Sequence, residues 1–241
     1  MEEIHELLGY ERIKIIQRDD MLRFSLDSML LADFVECKNC KNIIDLGTGN
    51  APIPLFLTLK TNAKIVGVDI QEDVCDVAKR SVSLNNLENQ IDIVNNNIKD
   101  IYKVVGNNKF DIVTSNPPYF RYQESSITNK NDYLTIARHE VLITIEEIIS
   151  EAKKLLVDGG YLYLVHRVER LSDILVCLKN ENFGLKKLRF IHTKESDEEA
   201  LLVLICARMN KKADVKVVKP LYIYDENKEY TEEVKRIFNF K

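Results

Sequence analysis

A chain of 241 residues with a formal net charge of −4 is long enough to bury a substantial core, and as a whole it is no polycation drawn to nucleic acid. Its 45% hydrophobic and 30% charged residues are ordinary for a globular protein, and no apolar run reaches the ~18 residues of a transmembrane helix. The acidic start M-E-E-I-H-E-L-L is not a signal peptide and five cysteines make no even disulfide framework, so a cytoplasmic location is expected.

In chain order, residues 1–40 form an N-terminal segment that ends in Cys37-Lys38-Asn39-Cys40. A zinc site needs about four ligands, and no second close Cys or His pair accompanies this one, so two ordinary loop thiols and no metal are expected. From residue 41 to 241 strand-like and helix-like patterns alternate. Ile43–Leu46, Lys64–Val68, Ile91–Val94, Phe110–Thr114 and Tyr161–Val165 are short, β-branched and bounded by turn formers, as buried parallel strands are. Between them, Pro54–Leu59, Glu72–Leu84 and Ile145–Leu156 carry helical apolar spacing. Leu185–Ile191 and Ala200–Ala207, joined by a polar turn, predict an antiparallel pair. The expected fold is therefore α/β, a seven-stranded and mostly parallel sheet ending in an antiparallel hairpin, with helices on both faces. The polar stretch 121–140 is a connection too long to be only a link.

The chemistry gathers at strand ends. Asp45-Leu46-Gly47-Thr48-Gly49-Asn50 closes the first strand with glycines that permit a sharp turn and close ligand approach. A dinucleotide fingerprint would put a third glycine where Pro52 stands, which disfavours pyrophosphate. Asp69 closes the second strand, where a carboxylate can accept both hydroxyls of a ribose; its alternative is a helix cap for Glu72–Leu84. After the third strand, Asn97 suits either an adenine edge, with Ile98 on the ring face, or a plain turn. The fourth strand delivers Asn116-Pro117-Pro118-Tyr119. An amine conjugated to a ring is a poor nucleophile, and two acceptors on its hydrogens, the Asn116 oxygen and the Pro117 carbonyl, would draw it toward tetrahedral geometry. The prolines stiffen that backbone, and Tyr119 can stack on the ring for ~1–3 kcal/mol.

These motifs resemble the class I S-adenosylmethionine-dependent methyltransferases, with their Rossmann-like sheet, and within them the amino-methyltransferases with an N-P-P-[YF] motif. D-L-G-T-G-N is similar to their first cofactor motif, V-D-I-Q, with Asp69 and Ile70, to their ribose-binding acid, and S-N-P-P-Y-F to their catalytic motif. Asn97 stands where the family usually has an acid. Residues 23–35, 136–140, 166–171 and 220–234 further resemble bacterial tRNA1(Val) adenine-37 N6-methyltransferases over nearly the whole chain. That resemblance implies S-adenosyl-L-methionine as cofactor, the anticodon loop of a tRNA as partner and no obligate protein partner. It puts Phe24, Asp27, Asp45, Gly47, Gly49, Asn50, Asp69, Ile70, Asn97, Ile98 and Asn116 at the cofactor, and residues 1–40 as a cap on its site.

Around the target base it implies Tyr119, Phe120, Arg121, Arg138, His139, Arg167 and His192. Basic groups for phosphates include Lys130, His166, Arg170, Lys186, Lys187, Arg189 and Lys194. Glutamine N5-methylation of a release factor is a rival, because a side-chain amide is also planar. Only about forty residues precede Asp45, however, and those enzymes carry a longer helical domain there. Guanine-N2 methylation of rRNA and adenine methylation of DNA stay open.

Overall fold

The computed structural model describes residues 1–21, 25–119 and 143–240. The expected parallel strands are β3 (Asn42–Leu46), β4 (Lys64–Asp69), β5 (Ile91–Asn95), β6 (Phe110–Ser115) and β7 (Leu156–Arg167). The expected pair is β8 (Phe183–Lys194) and β9 (Leu202–Met209). Their spatial order is β5-β4-β3-β6-β7-β9-β8, and β9 alone runs antiparallel to its neighbours. Two short strands, β10 (Lys216–Val217) and β11 (Leu221–Tyr224), add along β8 and bring the sheet to nine, two more than the seven expected.

Successive residues of each strand enter opposite cores. Ile43, Ile65 and Ile112 face one cluster while Ile44, Val68 and Val113 face the other. A sheet buried on both faces needs strands that are apolar throughout, which is why these runs stand out in the sequence. On the first face lie α1 (Leu26–Phe34), α2 (Pro52–Leu57), α3 (Glu72–Leu84) and α7 (Glu232–Phe238). The second face is covered by α5 (Ile145–Leu155) and α6 (Leu171–Asn180), with the short α4 (Tyr102–Val105) beside them. Helix α5 starts in a capping box, where Thr144 and Glu147 satisfy each other's backbone N–H groups. Helix α1 is fixed at its far end by the Lys60 ammonium, which donates to the carbonyls of Ala32 and Val35 at 3.1 and 2.7 Å.

The N-terminal segment holds an antiparallel hairpin, β1 (Glu2–Leu7) and β2 (Tyr10–Arg18), separate from the main sheet. Its free edge is met by side chains of α3. Ser81 accepts from the Ile16 N–H at 3.0 Å, and Asn85 both accepts from and donates to the Lys14 backbone. The hairpin turn rests on the C-terminal helix: Gly9 N–H donates to the Phe238 carbonyl at 2.9 Å, and a side chain at Gly9 would lie 2.2 Å from the Asn239 oxygen. Among the described residues no helix is long and apolar enough to cross a membrane.

Candidate functional site

The chain runs outward from β3 through β4 to β5, then returns to pair β6 on the other side of β3. That reversal opens a crevice beyond the carboxyl ends of β3 and β6, the usual place for a ligand in such sheets. Gly47 and Gly49 sit there at φ 75° and 57°, and a Cβ on either would meet nothing within 4 Å. The turn therefore faces open space, while the Gly47 and Thr48 N–H groups anchor it to the Val68 carbonyl at 2.9 Å.

Two buried acids flank this turn. Asp69 accepts from the N–H groups of Gly49 and Gln71 at 3.0 and 3.1 Å, and burial raises its pKa. Asp45 accepts the Thr114 hydroxyl at 2.6 Å through one oxygen, while the other has no partner. Burial pushes its carboxyl up to about 7. Ile70, beside Asp69, is 37% exposed and presents an apolar face.

Three expected cofactor contacts are engaged otherwise. The Asn50 amide nitrogen donates to the Ile16 carbonyl at 2.9 Å, so it ties the hairpin to the glycine turn instead of pointing into the crevice. Ile98 is a core side chain on the α5 face, and Ile70 carries the exposed apolar surface that Ile98 was expected to offer. Asn97 is exposed and its oxygen accepts the Lys99 N–H at 2.9 Å, which is the turn geometry.

Across the crevice, the Ser115 hydroxyl donates to the Leu46 carbonyl at 2.8 Å and fixes the end of β6 against β3. Asn116 follows. Its amide nitrogen donates to the Ser28 hydroxyl at 2.9 Å and the Ser25 hydroxyl at 3.3 Å, so its oxygen is turned the other way. That oxygen meets the Tyr119 hydroxyl at 2.8 Å, and the same hydroxyl lies 2.8 Å from an Asp27 carboxyl oxygen. The Tyr119 ring lies at 55° against His166, with centroids 5.3 Å apart, so one side of the ring rests on β7. Pro117 is buried and Pro118 half-buried. Burial raises the Asp27 pKa, against the pull of the Tyr119 hydrogen bond and the Arg167 charge. Burial also lifts Tyr119 well above the usual phenol value.

The expected phosphate contacts divide sharply. His166 is fully buried, neither ring nitrogen has a partner among the described residues, and burial with the nearby Arg170 charge pushes it down to about 4. It is a neutral wall of the site and no phosphate ligand. Arg167 stands at the rim, paired to Glu169 at 2.8 Å. On the hairpin, Lys186 pairs with Asp214, Lys187 with Glu36 and Arg189 with Glu233. His192 shares a hydrogen bond with the Asp197 carbonyl and packs on Tyr222. Phe24, Phe120, Arg121, Lys130, Arg138 and His139 lie outside the described residues. Cys40 donates to the Cys37 carbonyl, and among the described residues no group of three or more His, Cys, Asp or Glu is placed to hold a metal.

The model of the methyltransferase small domain matches residues 23–180, from the start of α1 through the crevice to α6. The chain belongs to the methyltransferase small domain family. Within curated methyltransferases it is 27% identical, over 76% of each chain, to a tRNA1(Val) (adenine(37)-N6)-methyltransferase of Phocaeicola vulgatus. An enzyme of the same name from Haemophilus influenzae is 25% identical over 92% of each chain. Among solved structures, a predicted O-methyltransferase of Agrobacterium tumefaciens superposes with a TM-score of 0.69 at 21% identity, covering 89% of this chain and 96% of that one. M. capricolum TrmK, solved with S-adenosyl-homocysteine, gives 0.56 at 17% identity, over 79% and 71%. These two show the fold.

In this methyltransferase Ser25 and Ser28, absent from the expected site, set the direction of the Asn116 amide. Their spacing was a usable signal: i and i+3 at a helix start place both hydroxyls on one side. The bond from Tyr119 to Asp27 spans 92 positions and left no local trace.

Proposed function

We propose that this methyltransferase moves a methyl group from S-adenosylmethionine to the exocyclic N6 of an adenine in tRNA, adenosine 37 of tRNA1(Val). The observation that carries the reading is the fixed direction of the Asn116 amide. With its nitrogen tied to Ser28 and Ser25, its oxygen is the end left for an amine hydrogen. The substrate class comes from the names of the curated relatives.

The residues of the crevice suit the cofactor. Asp69 keeps unused lone pairs for ribose hydroxyls, Ile70 offers an apolar face for an adenine, and the open side of Gly47 and Gly49 admits the ligand backbone-close. When bound, S-adenosylmethionine supplies an electrophilic sulfonium methyl. Asn116 accepts one hydrogen of the substrate amine and the Pro117 carbonyl accepts the other, which localises the nitrogen lone pair. Orientation then does most of the remaining work. Residues 1–40 act as the cap of the cofactor site and 41–241 as the methyltransferase domain. Arg167 and the basic residues of 121–140 contact the anticodon-loop backbone, where a base leaves its stack cheaply.

The test is labelled cofactor, purified protein and an unmodified tRNA pool, followed by nucleoside mass analysis. N6-methyladenosine at position 37 is the expected product. Label on guanine, or on protein glutamine, overturns the reading.

A further inference from the structure

Three oxygens stand in a row at the amine end of the crevice: Asp27 carboxyl, Tyr119 hydroxyl, Asn116 amide. Each gap is 2.8 Å, a hydrogen-bond distance that requires a proton in it. The phenol brings one proton for two gaps. Asn116 cannot supply the other, because its N–H groups are turned to Ser28 and Ser25. The row is short by one proton, and only Asp27 or an incoming ligand can provide it.

We infer that Asp27 is a positioning residue whose carboxylate draws the Tyr119 proton away from Asn116, leaving the Asn116 oxygen for the substrate amine. The inference rests on the amine-methylation reading above. When Asp27 is protonated, its O–H donates to the phenol oxygen and the phenol donates onward to Asn116. One lone pair of the amide oxygen is then taken and the oxygen is a weaker acceptor. When Asp27 is ionised, the phenol turns to it in a charge-assisted bond. The Asn116 and Tyr119 oxygens then face each other across 2.8 Å with no proton between them. A substrate N–H fills that gap, so the amine relieves a repulsion as it binds. No side chain has to move for this exchange; one hydroxyl rotates.

The groups facing the row are few. Arg167, at the end of β7, is the charge acting on Asp27 among the described residues, and it favours the ionised form. His166, also on β7, faces the Tyr119 ring in its neutral state, and Ser25, Ser28 and Asn116 carry no charge.

The experiment follows kcat/KM for tRNA methylation from about pH 5 to 9 in wild type, Tyr119→Phe, Asp27→Ala and the double variant. The wild type is expected to rise roughly tenfold in all as Asp27 ionises, from a low acid plateau to a high one. Tyr119→Phe has no phenol proton to misdirect and is expected to lose that acid limb. In Asp27→Ala the phenol has Asn116 as its remaining acceptor at every pH, and kcat/KM at pH 8 is expected to fall roughly tenfold, one hydrogen bond's worth. Adding Tyr119→Phe to Asp27→Ala is expected to recover part of the loss. A purely structural role for Asp27 would make the double variant as poor as Asp27→Ala or poorer. That result, or an acid limb that persists in Tyr119→Phe, overturns the inference. A wild type that places no N6-methyl group on tRNA at any pH overturns the underlying reading, and the variants are not needed to see it.

Discussion

The two sides of the crevice are built from different materials. On the β3–β4 side the turn is held by backbone: the N–H groups of Gly47, Thr48, Gly49 and Gln71 make the contacts, to the Val68 carbonyl and the Asp69 carboxyl. On the β6 side the work falls to side chains: Asp27 touches Tyr119, Tyr119 touches Asn116, and Asn116 reaches Ser25 and Ser28. Backbone donors survive most substitutions and set a shape. Linked side-chain polar groups are cooperative, so one change reaches them all. On the reading proposed above, the cofactor side is thus a preformed cradle, and the amine side is where chemistry is tuned and easily lost.

Five measurements test that division. The largest effect is expected at Asn116→Ala, which removes the preorganised acceptor: turnover falls by ~10²–10³-fold while cofactor affinity stays within severalfold. An equal fall in affinity, seen by calorimetry, would break the division between the two sides. Next is the pH dependence of stability. Asp45 has a folded pKa near 7, raised by burial. A raised acid binds its proton more tightly in the folded state, so its stabilising contribution is full below about pH 4 and is lost as pH rises to about 7. The loss is roughly 2–4 kcal/mol for a shift of this size. Urea unfolding of the cofactor-free protein between pH 4 and 8 should show the decline, and Asp45→Asn should flatten it. Asn50→Ala, which frees the Ile16 carbonyl, is expected to cost about 1 kcal/mol and to speed amide exchange in β2 without altering Asn116 chemistry. The smallest effects belong to the charged rim. Arg189→Ala should leave tRNA affinity within about twofold, because Glu233 already neutralises it. Arg167 is paired too, but its partner Glu169 is 67% exposed and readily released, so Arg167→Ala should reduce the salt slope of binding by up to about one.

The strands from β3 to β9 are legible because a sheet buried on both faces demands uninterrupted apolar runs, and each run ends where its motif begins. The N-terminal hairpin is harder to see. Ile4 is 60% exposed and the hairpin's polar edge finds partners on a helix far along the chain. Ile13 and Ile15, buried two apart, were its available trace. The motif Asn116-Pro117-Pro118-Tyr119 suggests a planar amine by residue types alone, and that reading stays a proposal. Which oxygen Tyr119 touches depends on where α1 packs, a tertiary fact. Ile98 shows the opposite failure. Its neighbours suggest a ligand contact, but the residue after a strand can turn inward as easily as outward, and here the second core takes it.

The seat of Gly9 on Phe238 and Asn239 has a consequence in time. During synthesis, the hairpin turn is made some two hundred and thirty residues before its resting place exists. Strand β2 can lean on α3 earlier, but its loop stays unsupported until α7 emerges. The hairpin turn therefore settles only after α7 has formed, and a nascent chain lacking α7 would carry a formed crevice beside a hairpin whose turn is unfastened.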